Sequence, residues 1–134
     1  LVAGICFAKP TSYELVVIEK QIRESFNEMI QLWKEELYFD LYTFGTKASY
    51  ERLSKNEFAE RMVELKWTPS SNKEKIKIKK IEIRYRTLAV ITCELVYVDK
   101  VNPNKTIKKT ELLLIILEDK KWRYDLVRLI KVPF

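Results

Sequence analysis

The chain has 134 residues, of which 47% are hydrophobic and 33% are charged. That length fits one domain, and that composition excludes a disordered chain, which has too few apolar residues to bury. The sequence contains no histidine and only two cysteines, Cys6 and Cys93. These counts exclude a disulfide framework, a histidine-based catalytic triad and a histidine metal site, and two glycines cannot form a Gly-rich phosphate loop. We therefore predict neither a metal nor a cofactor.

The formal net charge of +6 is unevenly distributed, because residues 1–66 carry −2 and residues 67–134 carry +8. A basic half could attract an anionic partner such as a nucleic acid. Lysine is also an ordinary solvent-facing residue of strands, where it discourages edge-to-edge association. The basic run from Lys73 to Lys80 lacks the interleaved aromatic residues of single-strand-binding surfaces, so we do not expect nucleic acid to be the partner.

Residues 1–8 form an apolar run that turns polar at Lys9 and Pro10. A run that ends at a small residue, here Ala8, is typical of the end of a signal peptide. It is too short to span a bilayer alone, which takes about 20 residues. We assign residues 1–9 to the remnant of a signal or anchor segment and residues 10–134 to the domain. An exported or periplasmic location follows, with membrane contact only through an upstream segment. The alternative is an apolar segment of the fold in a cytoplasmic protein.

A long amphipathic helix is predicted after this segment. Thr11 or Ser12 can cap it, and Glu14 lies in its first turn. Apolar residues then recur in steps of three and four, which predicts one buried stripe on the helix. The stripe consists of Ile18, Ile22, Phe26, Met29, Ile30, Trp33 and Leu37. We interpret it as a packing surface and not as a cofactor site.

A shorter helical region follows. An aromatic segment starts at Tyr38 and stops near Gly45, a residue suited to a helix end. Ser54 and Glu57 have the spacing of a capping box, in which each side chain bonds the other residue's exposed amide, so a short helix is predicted there. Its predicted buried side is Phe58, Ala59, Met62 and Leu65. Pro69 then breaks the helix.

Alternation of apolar and polar residues predicts strands at 76–86, 89–97, 112–117 and 122–132. The apolar parity changes between Ile78 and Ile81, so we expect a β-bulge near Lys79 and Lys80. The strand at 112–117 is apolar on both faces, which is typical of a central strand. Helices followed by hairpin-linked strands indicate an α+β domain with an antiparallel sheet.

Three segments carry a resemblance to a known superfamily: Trp33 to Tyr42, Ser54 to Phe58, and Glu118 to Asp125. Over residues 12–132 the chain resembles the nuclear transport factor 2-like (SnoaL-like, cystatin-like) superfamily, whose bacterial members often begin with a long helix and end with a hairpin and a Trp on the last strand. The resemblance implies an α+β fold, with the N-terminal long helix and short helices packed on a curved antiparallel sheet, a cone-shaped half-barrel. The open end of that cone is commonly a pocket. Fold alone says little about function.

Enzymes of this superfamily use an Asp or His base with a Tyr or an acidic partner in the pocket. The carboxylates available here are Asp40, which lies between Tyr38 and Tyr42 in the sequence, and Glu94 on a predicted strand. Burial in an apolar cavity would raise a carboxyl pKa into the range of a general base. Asp40 can instead cap a turn, and Glu94 falls on the opposite face from Cys93 and can be a surface residue. No pair has a spacing that chemistry requires, so we assign no catalytic residue.

Aromatic residues are the remaining candidates for a ligand pocket, although each is equally suited to a core. They are Tyr38, Tyr42, Trp67, Tyr85, Tyr97 and Trp122. We predict a non-catalytic binding domain that uses this pocket for a small hydrophobic ligand or its sheet face for protein association. A homodimer is one such association, because residues 112–117 are apolar on both faces and one face needs a cover. The alternatives are a proton-transfer enzyme of the isomerase or dehydratase type and a periplasmic scaffold module of a secretion machine.

Overall fold

A computed structural model describes residues 9–133 and has the predicted α+β class, with helices first and a curled antiparallel sheet after them. The predicted signal or anchor remnant spans residues 1–9, of which residues 1–8 lie outside the described residues. Within the described range, none of the helices has the length and apolar character needed to cross a membrane. The helices are α1 Ser12–Lys34, α2 Tyr38–Tyr42, α3 Lys47–Arg52, α4 Lys55–Glu64 and α5 Leu126–Leu129. The strands are β1 Trp67–Pro69, β2 Ile76–Tyr85, β3 Leu88–Asp99, β4 Thr106–Glu118 and β5 Lys121–Tyr124.

Helix α1 begins at a capping box and buries one stripe of apolar side chains. The Glu14 amide donates to Thr11 Oγ1 at 3.2 Å, and the Thr11 amide donates to the Glu14 carboxylate at 3.1 Å. The predicted stripe is confirmed for Ile18, Ile22, Phe26, Met29, Ile30 and Trp33. The prediction is wrong for Leu37, which is 44% exposed. The helix ends at Lys34, and the chain turns at Glu36, whose φ is 59°.

The sheet is antiparallel at every pairing, with strand order β1-β3-β4-β5 and with β2 also paired to β3. The register between β2 and β3 slips between Ile78 and Lys80, which confirms the predicted bulge. Strand β4 is much longer than predicted, and β5 pairs with it only from Ile115 to Glu118. One edge of β4 therefore lies without a strand partner over residues 106–114, within the described part of the chain.

The inner face of the sheet packs on α1 and forms the core. The ring centroids of Trp33 and Tyr97 lie 6.2 Å apart, which joins the helix to β3. Burial of a large aliphatic side chain stabilises the folded state by about 1.5–3 kcal/mol, so this layer dominates the stability of the domain. Its buried strand residues are Ala89, Ile91, Cys93, Leu95 and Tyr97 on β3 and Leu113 and Ile115 on β4.

The C-terminal segment differs from the prediction of a strand at 122–132. Strand β5 ends at Tyr124, and α5 begins after Asp125. The Val127 amide donates to Asp125 Oδ1 at 3.0 Å, so Asp125 is the N-cap of α5. This helix buries Leu126 and Leu129 against the core and brings Arg128 to the inner face of the sheet.

Candidate functional site

The outer face of the sheet carries exposed apolar side chains. On β4, Leu112 is 57% exposed and Leu114 is 49% exposed, whereas Leu113 between them is 4% exposed. Their partners on β3 are Thr92 and Val90. We give the name outer patch to the exposed Leu112 and Leu114 with two less accessible neighbours on the same face, the half-buried Ile116 and Val90, which is only 6% exposed. Of the two apolar rows on β4, the structure covers the inner one and leaves the outer one open to solvent.

Charged side chains border the outer patch. The Glu94 carboxylate lies 3.3 Å from the Lys108 ammonium and 4.0 Å from the Lys79 ammonium, and Lys80 lies 3.4 Å from Glu82. Surface ion pairs of this kind contribute about 0–1 kcal/mol each. Glu94 lies on the outer face, where the alternation placed it. This position is not the apolar cavity that a general base requires.

The inner face contains a buried polar cluster that the sequence analysis missed. Glu111 on β4 is 0% exposed. Its carboxylate accepts a hydrogen bond from the Tyr97 hydroxyl at 2.6 Å and lies 3.4 Å from the Arg128 guanidinium. We name Glu111, Tyr97 and Arg128 the buried polar cluster. It connects three separate elements of the fold, β3, β4 and α5.

A sequence signal for this cluster exists. Glu111 has the same two-residue period as Leu113 and Ile115, so the pleat places it on the inner face with them. A carboxylate on the apolar face of a strand needs a partner, because burial of an unpaired charge is strongly unfavourable. The partner, Arg128, could not be identified from the sequence because it lies in a helix that was predicted as a strand.

Burial governs the protonation of the groups around Glu111. The pKa of Tyr97 is raised, first by burial and then by its hydrogen bond to Glu111. Burial, with the charge of Glu111 adding to it, raises the pKa of the Cys93 thiol to about 12. Both groups are therefore neutral near pH 7. The thiol is inert as a nucleophile in that state, and the tyrosine serves as a hydrogen-bond donor.

A separate groove of about 720 Å³ lies along α1. This volume is within the usual range of small-molecule clefts, about 300–1,000 Å³. Apolar side chains and two lysines line it, together with three polar residues of α1. The lining residues are Asn27, Glu28, Ile30, Gln31, Leu32, Lys34, Phe44, Lys73 and Ile76. None of the six aromatic residues predicted for a ligand pocket is among them.

Three of those six aromatic residues line different clefts. Tyr38 borders a cleft of about 460 Å³ together with Asp40. Tyr85 borders a cleft of about 390 Å³, and Trp122 borders one of about 220 Å³. Asp40 itself is exposed on α2, so water and not an apolar cavity surrounds it.

The other three aromatic residues, Tyr42, Trp67 and Tyr97, have packing or hydrogen-bonding roles. The Tyr42 hydroxyl donates to the Leu53 carbonyl at 2.7 Å. The half-buried Trp67 has the Lys66 ammonium 5.4 Å from its ring centroid. Tyr97 belongs to the buried polar cluster. The structure thus distributes the six residues over several places and does not bring them together in one chamber.

A metal site or a match to a known protein family could also indicate a function. Among residues 9–133, no three Cys, Asp or Glu side chains are grouped so that they could hold a metal ion. The sequence matches no protein-family model and no curated protein. The surfaces and clusters described above therefore carry the functional argument.

Proposed function

We propose that this chain is a non-catalytic binding domain of the nuclear transport factor 2-like type, and that its outer patch binds a second copy of the chain. The observation that supports this most is the exposure of Leu112 and Leu114 next to each other on a sheet face. Contiguous exposed apolar side chains with a polar border are typical of association surfaces. A long helix on a curled half-barrel is compatible with that superfamily, whose non-enzymatic members use this face for dimerisation.

A second copy suits this face because the face is self-complementary. A two-fold axis places the same patch on both subunits, so the apolar rows meet each other. The border carries both signs of charge, with Glu82 and Glu94 beside Lys80 and Lys108. Acidic groups of one subunit can therefore meet basic groups of the other.

The test is the oligomeric state of the 16.0 kDa chain over a range of concentrations, measured by sedimentation equilibrium. We expect the wild type to dimerise and the double variant Leu112→Glu/Leu114→Glu to dissociate, with a dimer dissociation constant at least about a hundredfold higher. The matched control is Val63→Glu/Val101→Glu, since both valines are exposed elsewhere, at 62% and 91%. A wild type that is monomeric at every concentration, or a dimer that survives the Leu112/Leu114 change, rejects the proposal.

A second candidate, proton transfer, is favoured by one observation. Glu111 is a buried carboxylate that accepts a hydrogen bond from the Tyr97 hydroxyl, and a carboxylate paired with a tyrosine is the kind of group that acid–base catalysis uses. A cleft of about 230 Å³ reaches Arg128, but it is smaller than the usual substrate site of about 300–1,000 Å³. The test is deuterium incorporation at the α-carbon of small ketones in heavy water. Exchange that Glu111→Gln abolishes supports this candidate, and exchange no faster than in buffer rejects it.

We further propose that the domain acts outside the cytoplasm. The support is the apolar run at residues 1–8, which ends in Ala8 before Lys9 and Pro10. Fractionation of the source cells with an antibody against the domain tests this. A cytoplasmic signal rejects it. An exported free protein remains in the soluble extracytoplasmic fraction, whereas a scaffold module of a secretion machine sediments with membranes.

A further inference from the structure

The groove along α1 has an apolar floor. Ile30 and Phe44 are only 4% and 6% exposed, and Leu32 and Ile76 are half-buried. These four side chains come from α1, from the segment after α2 and from the start of β2. The groove therefore has a volume of about 720 Å³ and apolar lining residues from three parts of the fold.

Two lysines form a cationic end of this groove. Lys34 lies on the last turn of α1, and Lys73 lies in the 3-10 turn Lys73–Lys75 that precedes β2. Within residues 9–133, neither ammonium has a carboxylate oxygen within 4.0 Å. Burial, and after it the charge of Lys73, lowers the pKa of Lys34. Both lysines line the same groove, and an anion bound between them would relieve the repulsion of their like charges.

The groove also contains one carboxylate, Glu28, which lies away from the two lysines. Glu28 and Lys34 are six residues apart on α1, which is about 9 Å along the helix axis. Glu28 and Phe44 also line a neighbouring cleft with Lys120 and Lys121, and the Lys121 ammonium lies 3.9 Å from the centroid of the Phe44 ring. Lys34 and Lys73 thus bring positive charge to the groove without a carboxylate partner among the described residues, whereas the charge of Glu28 is offset by that of Lys121.

We propose that this groove binds an anionic amphiphile, with its carboxylate or phosphate head between Lys34 and Lys73 and its hydrocarbon body over Ile30, Phe44 and Ile76. A single acidic head on an apolar chain matches the apolar lining and the two lysines that lack a carboxylate partner in the described part of the chain. This site goes beyond the proposed dimer, because none of its residues belongs to the outer patch. Each proposal can fail while the other holds.

Isothermal titration calorimetry of the full chain tests the ligand class. The probes are dodecanoate, dodecyl phosphate and the uncharged dodecyl maltoside, each below its critical micelle concentration. We expect saturable binding of one anion per chain, with the maltoside at least about tenfold weaker. The preferred anion distinguishes a fatty-acid source from a phosphate-bearing lipid. No saturable binding of either anion, or equal affinity for the maltoside, overturns the proposal.

Three lysine variants test the site. Lys34→Gln and Lys73→Gln should each weaken binding of the preferred anion about tenfold to a hundredfold and leave maltoside binding unchanged, since each removes one charge-assisted contact. The matched control is Lys75→Gln, because Lys75 lies in the same 3-10 turn but does not line the groove. An equal loss in the control would show that the anions follow only the general positive charge of this half of the chain, and it would overturn the proposal.

Discussion

Glu94 and Glu111 lie on neighbouring rungs of the β3–β4 ladder but have opposite environments. Glu94 pairs with Thr110, and Cys93 pairs with Glu111. The Glu94 side chain is 21% exposed and contacts two lysines, whereas Glu111 is fully buried with Tyr97 and Arg128. The pleat of the strands, which alternates side chains between faces, accounts for the difference. The role of a carboxylate in this sheet is therefore decided by its face and not by its strand.

The largest expected effect tests this comparison directly. Glu111→Ala should lower the free energy of unfolding by about 3 kcal/mol, because it removes the buried carboxylate that accepts from the Tyr97 hydroxyl and lies 3.4 Å from the Arg128 guanidinium. Glu94→Ala, the matched change on the outer face, should cost less than about 1 kcal/mol. Urea denaturation measures both. Equal losses would show that the two faces do not differ in the way the burial indicates.

The exposed ion pair between Glu14 and Arg86 has shorter contacts than the Glu94 pair with Lys108, so it tests how much an exposed carboxylate can contribute. The Arg86 guanidinium donates to both oxygens of Glu14, at 2.7 and 2.9 Å. The side-chain hydrogen bond from Arg86, and then that from the Thr11 amide, lowers the pKa of Glu14 to about 2. Because the folded-state pKa lies below the unfolded value of about 4.3, the stabilisation is complete above that value and is lost as the pH falls toward 2.

Glu14→Gln should therefore lower the melting temperature at pH 7, and the gap to the wild type should close between about pH 4.3 and pH 2. Thermal melts followed by circular dichroism at several pH values measure this gap. The control is Glu19→Gln, which removes a single contact of 3.1 Å with Arg23 and should change the melting temperature less. A gap that does not depend on pH would contradict the assignment to the Glu14 carboxylate.

The smallest effect concerns a buried polar atom that lacks a partner. Thr68 Oγ1 in β1 is buried without a hydrogen-bond partner among residues 9–133, unlike the groups of the buried polar cluster. Thr68→Val keeps the shape of the side chain and removes the unmet hydroxyl, so stability should be unchanged or rise by up to about 1 kcal/mol. Thr46→Val is the matched control, because Thr46 Oγ1 caps α3 through the Ser49 amide at 3.2 Å, and it should cost about 1 kcal/mol. Equal losses in urea denaturation would contradict this view of Thr68.

Local patterns made much of the fold predictable. The stripe from Ile18 to Trp33 follows from helical periodicity alone. The capping box at Ser54 and Glu57 is present, with contacts of 3.1 and 3.4 Å. The bulge near Lys80 follows from a change of parity within one strand. Each of these signals depends on residues only a few positions apart.

Other features depend on contacts that the sequence does not reveal. Trp122, Tyr124 and Leu126 alternate as in a strand, but the cap at Asp125 starts a helix instead. The helix α3 and the strand β1 were missed because six and three residues carry too little periodicity. Both faces of β4 are apolar, so only the packing of α1 decides which row is open. The aromatic residues were predicted by type, and type does not determine location.

The unpaired edge of β4 has a further consequence for how copies of this chain can meet. An open strand edge would normally allow a neighbour to extend the sheet by backbone hydrogen bonds. Here Lys108 and Lys109 lie on that edge with Thr106 and Thr110, and all four are exposed. Two such edges repel each other by charge. Copies can therefore associate through their sheet faces without pairing edge to edge into an extended sheet.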